Sequence, residues 1–214
     1  YSCGDYILND EGVKKTAKTK DGDFVLVPIC SQPLLIVERL RNIQDNCEKV
    51  VLAFCVGNSW ETVQVEREVI ASNTKIIRLA NFSIDVTSET AKDIVKYLQC
   101  LMQKNINLIK VSHTVNRLGW QNGEFVPYSD KVKCDSISEF LGIYRAIESK
   151  GNYELWIKHC LKLRENIYLR LTMAASFAAP LIEIIGGLPF IVHLWGGTGA
   201  GKTVALNVAA SVWG

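Results

Sequence analysis

The stretch Gly196-Gly197-Thr198-Gly199-Ala200-Gly201-Lys202-Thr203 constrains this chain more than any other. Glycine this dense disfavours a helix or a strand interior, so the backbone must turn there. What flanks the turn decides its meaning. Phe190 to Trp195, FIVHLW, is a short apolar run suited to a strand buried on both faces, and KTVALNVAASVW has helical composition after it. Strand, glycine loop and helix in that order are what the pattern G-x-x-x-x-G-K-[ST] requires, with Gly196, Gly201, Lys202 and Thr203 in the fixed positions.

The residue types fit the chemistry of a triphosphate. A dense anion stripped of water is held by successive backbone N–H groups curved around it. Gly197, Gly199 and Gly201 are expected to let the backbone turn tightly and approach phosphate oxygens, where a Cβ would obstruct. A helix starting near Lys202 adds its positive dipole end. Lys202 is expected to reach the β- and γ-phosphates and Thr203 to ligate Mg²⁺, while Thr198 and Ala200 contribute backbone amides. The expected ligands are therefore ATP or another nucleoside triphosphate, and Mg²⁺. His193, alone in an apolar run, reads as a packed residue. Trp195 reads first as packing, with nucleotide contact as the alternative.

The remainder reads as a globular chain. Of its 214 residues 48% are apolar and 21% charged, and only 5 are proline, which excludes a disordered or collagenous class. A net charge of +2 announces no nucleic-acid partner by itself. Seven cysteines, an odd number without C-x-x-C, predict reduced thiols and no zinc site. The polar, acidic start YSCGDYILNDEG lacks the regions of a secretory signal, so a cytoplasmic protein is expected. From Leu171 to Trp195 the chain is apolar, but Pro180, Glu183, Gly186-Gly187 and Pro189 interrupt it. A buried helix, a turn and a buried strand are expected there, with no membrane span.

Short apolar runs alternate with turn signals over the first ~80 residues, predicting a β-rich module. KVVLAFCV and WETVQVE, joined through Gly57-Asn58-Ser59, predict an antiparallel hairpin with Thr62, Gln64 and Glu66 on a wet face. NTKIIRLANF suggests a short helix capped by Asn73. Ala91, Ile94, Val95, Leu98, Leu101 and Met102 fall at three-and-four spacing and predict an amphipathic helix packed on the sheet. Asn122-Gly123 predicts a second hairpin. Its neighbours Trp120, Phe125 and Tyr128 read as core, or alternatively as an aromatic platform for bases. SISEFLGIYRAIESK, ended by Gly151, and NYELWIKHCLKLRENIYLRLTMAASFAAPLIEIIGG predict successive helices, capped by Asn152, broken near Pro180 and stopped at Gly186. Lys14, Lys15, Lys18 and Lys20 read as a solvated hairpin tip, and Arg164 and Arg170 as solvated positions, with phosphate-backbone or subunit contact as the alternative.

VNRLGWQNGEFVPYSD, together with LRENIYLRLTMAASFAAPLIEIIGGLPFIVHLWGGTGAGKTVALNVAASVWG, resembles the DUF927 family, the ATPase domain of Cch-like helicases of phages, plasmids and staphylococcal cassette elements. The likeness extends over most of the chain, including VPICSQPLLIVERLRN, and is most specific from Arg117 to Gly119 and from Phe190 to Thr203. It implies a P-loop ATPase attached to an N-terminal α+β region, working in replication of a mobile element as a ring-forming helicase. The family's nucleotide-binding loop maps onto Gly196 to Thr203.

The expected architecture is an α+β domain over residues 1–135, a helical connector over 136–187, and from 188–214 the first strand-loop-helix unit of an α/β P-loop core. The acidic strand residue and the arginine that hydrolysis also needs are not found here, so the chain is expected to be an N-terminal portion of a longer protein, slow or inactive alone. A strand at 190–195 without its parallel neighbours is expected to be under-packed, at a sheet edge or borrowed by another copy. The expected function is a DNA helicase assembled as a homo-oligomeric ring. A nucleotide-operated switch or phosphotransferase, and a non-enzymatic DNA- or partner-binding module, are the alternatives.

Overall fold

The computed structural model describes residues 1–135 and 141–214. They form a mixed α+β structure in two compact units, Tyr1–Val115 with Lys131–Ser136, and Asn116–Asp130 with Ile137–Gly214. The expected helical segment at 136–150 lies outside the described residues over its first five positions.

The first unit opens with strands β1 (Ser2–Cys3), β2 (Tyr6–Asn9), β3 (Gly12–Lys18) and β4 (Phe24–Cys30), an antiparallel sheet in that order. Gly12 is required where it stands. Its φ is +124°, and a Cβ would meet the Cys30 carbonyl oxygen at 2.2 Å. The distal half of β4 leaves Phe24 and Leu26 largely exposed, so this apolar run is not a core strand.

Strands β5 (Leu34–Asn42), β6 (Glu48–Val56) and β7 (Ser59–Glu66) form an antiparallel meander. The β6–β7 connection is two residues, because Ser59 already pairs with Val56, and Gly57 takes the positive φ of 60° that a tight turn needs. Val63 and Val65 are buried while Thr62 is exposed, the expected alternation. After β7 the chain crosses the sheet through α1 (Arg67–Ala71), a 3₁₀ turn (Ile76–Phe82) and α2 (Ala91–Lys104), then enters β8 (Lys110–Val115) parallel to β5. A parallel pair requires such a crossover. The 3₁₀ turn is preceded by Lys75, not capped by Asn73.

The six apolar positions of the predicted stripe on α2 are all buried, and Tyr97 joins them, its hydroxyl donating to the Leu34 carbonyl at 2.7 Å. That bond is what permits a phenol at 1% exposure. Later in sequence, β11 (Val132–Cys134) adds parallel to β8, giving the order β11-β8-β5-β6-β7. Asp135 beyond it, 1% exposed, accepts from Lys49 Nζ at 2.6 Å and Gln64 Nε2 at 3.3 Å.

The expectation of reduced thiols throughout is corrected at one pair. Cys3 and Cys100 form a disulfide across 97 residues, because β1 lies against α2. Cys30, Cys47, Cys55 and Cys160 are free thiols.

The second unit begins with the hairpin β9 (Gly119–Gln121) and β10 (Glu124–Val126). Asn122 and Gly123 both have positive φ, 50° and 82°, the condition for a two-residue turn matching strand twist. Helices α3 (Leu141–Ala146), α4 (Tyr153–Leu163), α5 (Ile167–Ala178), α6 (Leu181–Ile184) and α7 (Lys202–Ala210) follow. Asn152 caps α4 by accepting from Leu155 N at 2.9 Å. Pro180 separates α5 from α6, and Gly186 follows with φ 65°. A further break stands at Asn166, whose side chain caps α5. Of α5 only Thr172 and Met173 are buried, so it is not the buried helix expected of this apolar run. Among the described residues no helix is long and apolar enough to cross a membrane.

The segment from Leu188 to Trp195 forms no regular element and joins no strand among the described residues, and Ile191 and Trp195 are 94% and 87% exposed. It is thus not a strand buried on both faces. It is under-packed, one of the outcomes expected for such a strand without partners.

Candidate functional site

The glycine loop follows this segment directly. Gly196, Gly199 and Gly201 take positive φ of 155°, 81° and 79°, and Gly201 is the N-cap of α7. A Cβ on Gly196 would stand 3.3 Å from that of Ala200. Gly197 takes no positive φ and has open space around its Cβ position. The conformational demand therefore falls on Gly196, not on Gly197. Gly197 serves instead through its carbonyl, which accepts from Ala200 N at 3.3 Å.

Lys202 occupies the first position of α7, and its Nζ donates to the Gly196 and Gly197 carbonyls, each at 2.8 Å. The ammonium thus lies back over the loop. Thr198 and Thr203 are exposed, and the Thr203 hydroxyl has no hydrogen-bond partner among the described residues. Seven of the eight backbone amides from Gly196 to Thr203 likewise donate to no other group among the described residues, the exception being that of Ala200, which is committed to the Gly197 carbonyl. They belong to the loop and the first turn of the helix, where N–H groups have no intrahelical acceptor. Unpaired amides, a helix N-terminus and one ammonium on eight residues suit a concentrated anion.

A cleft of about 570 Å³ adjoins the loop. One wall is the start of α5, with Asn166, Tyr168 and Leu169, and the other combines His193, Leu194 and Trp195 with Ala200, Gly201, Lys202, Val204 and Ala205. No carboxylate lines it. Asn166 and Tyr168 are absent from any sequence-level site. The signal that points to them is Asn166 itself, a good N-cap inside an apparently continuous helical run.

The other sequence candidates are placed as follows. Trp120 and Phe125 are half-buried and meet edge to face at 5.1 Å, while Phe125 stacks on Tyr128 and Trp213. Trp120 Nε1 donates to the Pro180 carbonyl at 2.6 Å and Tyr128 Oη to that of Trp213 at 3.0 Å. These rings are engaged with their own unit rather than presented as an open platform. Lys14 pairs with Glu11, and Lys15 with Asp93 at 2.7 Å, which neutralises half of the lysine run. Arg164 and Arg170 are exposed and without an ion pair among the described residues, at the rim of a groove of about 370 Å³ over Cys160 and Met173.

A family model described as a domain of unknown function, DUF927, matches residues 6–214. No curated protein matches the sequence. Among solved structures, the SCCmec type IV Cch active helicase is similar, with a TM-score of 0.62 at 16% identity. The likeness covers the whole of this chain and 41% of that one, so this chain spans less than half of the helicase's length.

Proposed function

The chain belongs to the DUF927 family, and from that premise we propose that it is the N-terminal part of a P-loop ATPase, a DNA helicase working in replication of a phage or mobile element. In this reading the first unit is its N-terminal α+β domain, α4 to α6 belong to a helical connector, and the glycine loop with α7 opens the motor core. One observation carries the reading: seven unpaired amides and the Lys202 ammonium share one glycine loop.

In this reading Gly196 to Thr203 bind the phosphates of ATP. The amides of Gly199, Gly201, Lys202 and Thr203 donate to phosphate oxygens, and Gly196, Gly199 and Gly201 hold the curvature that exposes them. Lys202 exchanges two carbonyl acceptors for phosphate oxygens, so its charge meets charge only once ligand arrives. Thr203 fits Mg²⁺, since its hydroxyl is exposed beside the loop and uncommitted. Bound Mg²⁺ supplies charge neutralisation between phosphates. Hydrolysis further needs a carboxylate to orient water and metal and an arginine to stabilise the transition state. Neither kind of group is among the residues that line the cleft by the loop, and in this reading a homo-oligomeric ring brings them to it.

The likeness to a helicase supports the DNA-motor form of this reading. DNA-stimulated ATP hydrolysis by a longer chain that contains this one, abolished by Lys202→Ala, tests it. Hydrolysis indifferent to DNA would remove the motor and leave a nucleotide-binding protein of another class.

A further inference from the structure

The cleft beside the loop has the chemistry of a nucleobase site. A base is tied to its phosphates through one ribose, so its pocket must open from the phosphate loop. This one does, because Ala200, Gly201 and Lys202 belong to both. Its floor is apolar, from Leu169, Leu194, Val204 and Ala205. Two large rings border it, Tyr168 at 70% and Trp195 at 87% exposure, and neither makes a ring contact among the described residues. Exposed, unpaired aromatics next to an apolar floor are poorly solvated, and a flat π-system stacked on them relieves this.

The polar groups of the wall are those a base edge needs. Asn166 spends its side-chain oxygen on Tyr168 N at 2.9 Å and Leu169 N at 3.3 Å. Its amide NH₂ donates to nothing among the described residues. A fixed donor with no acceptor of its own matches ring nitrogens. The volume also suits a nucleoside, falling within the range of small-ligand pockets.

We infer that the cleft between the first turns of α5 and α7 seats the purine base of a nucleoside triphosphate, with Trp195 and Tyr168 as stacking surfaces and the Asn166 amide donating to the base edge. The inference rests on the phosphate reading of the loop and goes beyond it, because it assigns recognition to a helix that begins 35 residues before Lys202, at Ile167. A purine fits better than a pyrimidine, having the larger face to stack and more ring-nitrogen acceptors.

Calorimetry on the 214-residue chain separates the two readings, with Mg-ATP, Mg-UTP and inorganic tripolyphosphate as titrants. The expected order in the native chain is ATP tighter than UTP, and UTP tighter than or equal to tripolyphosphate. Trp195→Ala and Tyr168→Ala should each weaken ATP by ~10-fold while leaving tripolyphosphate unchanged, and Trp195→Phe should restore most of the loss. Both positions are exposed, so neither truncation removes core packing. Tripolyphosphate binding as tight as ATP, or ATP affinity indifferent to both truncations, overturns the base site and leaves the phosphate loop standing. No binding of any titrant overturns the phosphate reading, and the base site with it.

Discussion

Removing the Lys202 ammonium is the perturbation whose size follows most directly from the geometry. In the structure Nζ donates to two loop carbonyls, those of Gly196 and Gly197, each at 2.8 Å. An ammonium ~4 Å from one phosphate charge gains roughly 4 kcal/mol at the effective dielectric near a protein surface. Moving there releases two hydrogen bonds worth roughly 1 kcal/mol each. The difference is about 2 kcal/mol, or about 30-fold in Kd. Lys202→Ala should therefore weaken Mg-ATP and tripolyphosphate alike by ~30-fold, with a gap that narrows as salt is raised. The fold should survive, since the side chain lies on the loop surface and supports no core residue. Calorimetry at two ionic strengths, with circular dichroism as a control, reads both. A folded Lys202→Ala chain that binds either ligand as tightly as the native one would refute the electrostatic argument.

Two further expectations concern the first unit. Asp135→Ala strands the Lys49 ammonium, 12% exposed at its side chain, with Glu66 Oε1 at 3.4 Å as its remaining carboxylate, and should cost ~3 kcal/mol in urea unfolding. Adding Lys49→Met should recover a large part, and a double variant no better than the single one would refute the buried-charge account. Glu48 is held below the usual carboxylate range by hydrogen bonds from Arg39, at 3.0 and 2.9 Å, and by Arg67 at 2.7 Å, against an opposing effect of burial. Its stabilisation is complete above the unfolded value of ~4.3 and is lost as pH falls through the depressed folded value. Glu48→Gln should thus be ~2 kcal/mol less stable than the native chain at neutral pH, and the two denaturation curves should converge in acid. A difference that stays constant with pH would contradict it.

How much of this was legible in the sequence depends on the range of the interaction. The buried stripe of α2 announces itself because its period is local, and Asn122-Gly123 because a tight turn leaves few residue choices. Tyr97 escapes that reading, since its burial depends on the Leu34 carbonyl 63 residues away. The same holds for the Cys3–Cys100 disulfide and for β8, whose mixed sequence KVSHTV acquires strand form only by pairing with β5 and β11. Phe24 to Val27 show another limit: an apolar run within the expected β-rich module does form a strand, yet on this edge strand Phe24 and Leu26 stay largely exposed, and apolar letters alone do not say which runs are covered. The glycine turn and the helix after it were legible, although which glycines carry positive φ was not. The cleft beside it was invisible, because Asn166 and Tyr168 interrupt a run whose apolar residues continue on both sides.

The central claim is that main-chain amides at the start of α7 surround a polyphosphate, and backbone NMR of the isotopically labelled chain addresses it amide by amide. On titration with Mg-ATP, the signals of Gly199, Gly201, Lys202 and Thr203 should move farthest, downfield as their protons gain charged acceptors, while those of β5 and β6 stay in place. Loop amides that remain still under saturating Mg-ATP, or the largest changes falling in the first unit, would contradict the account.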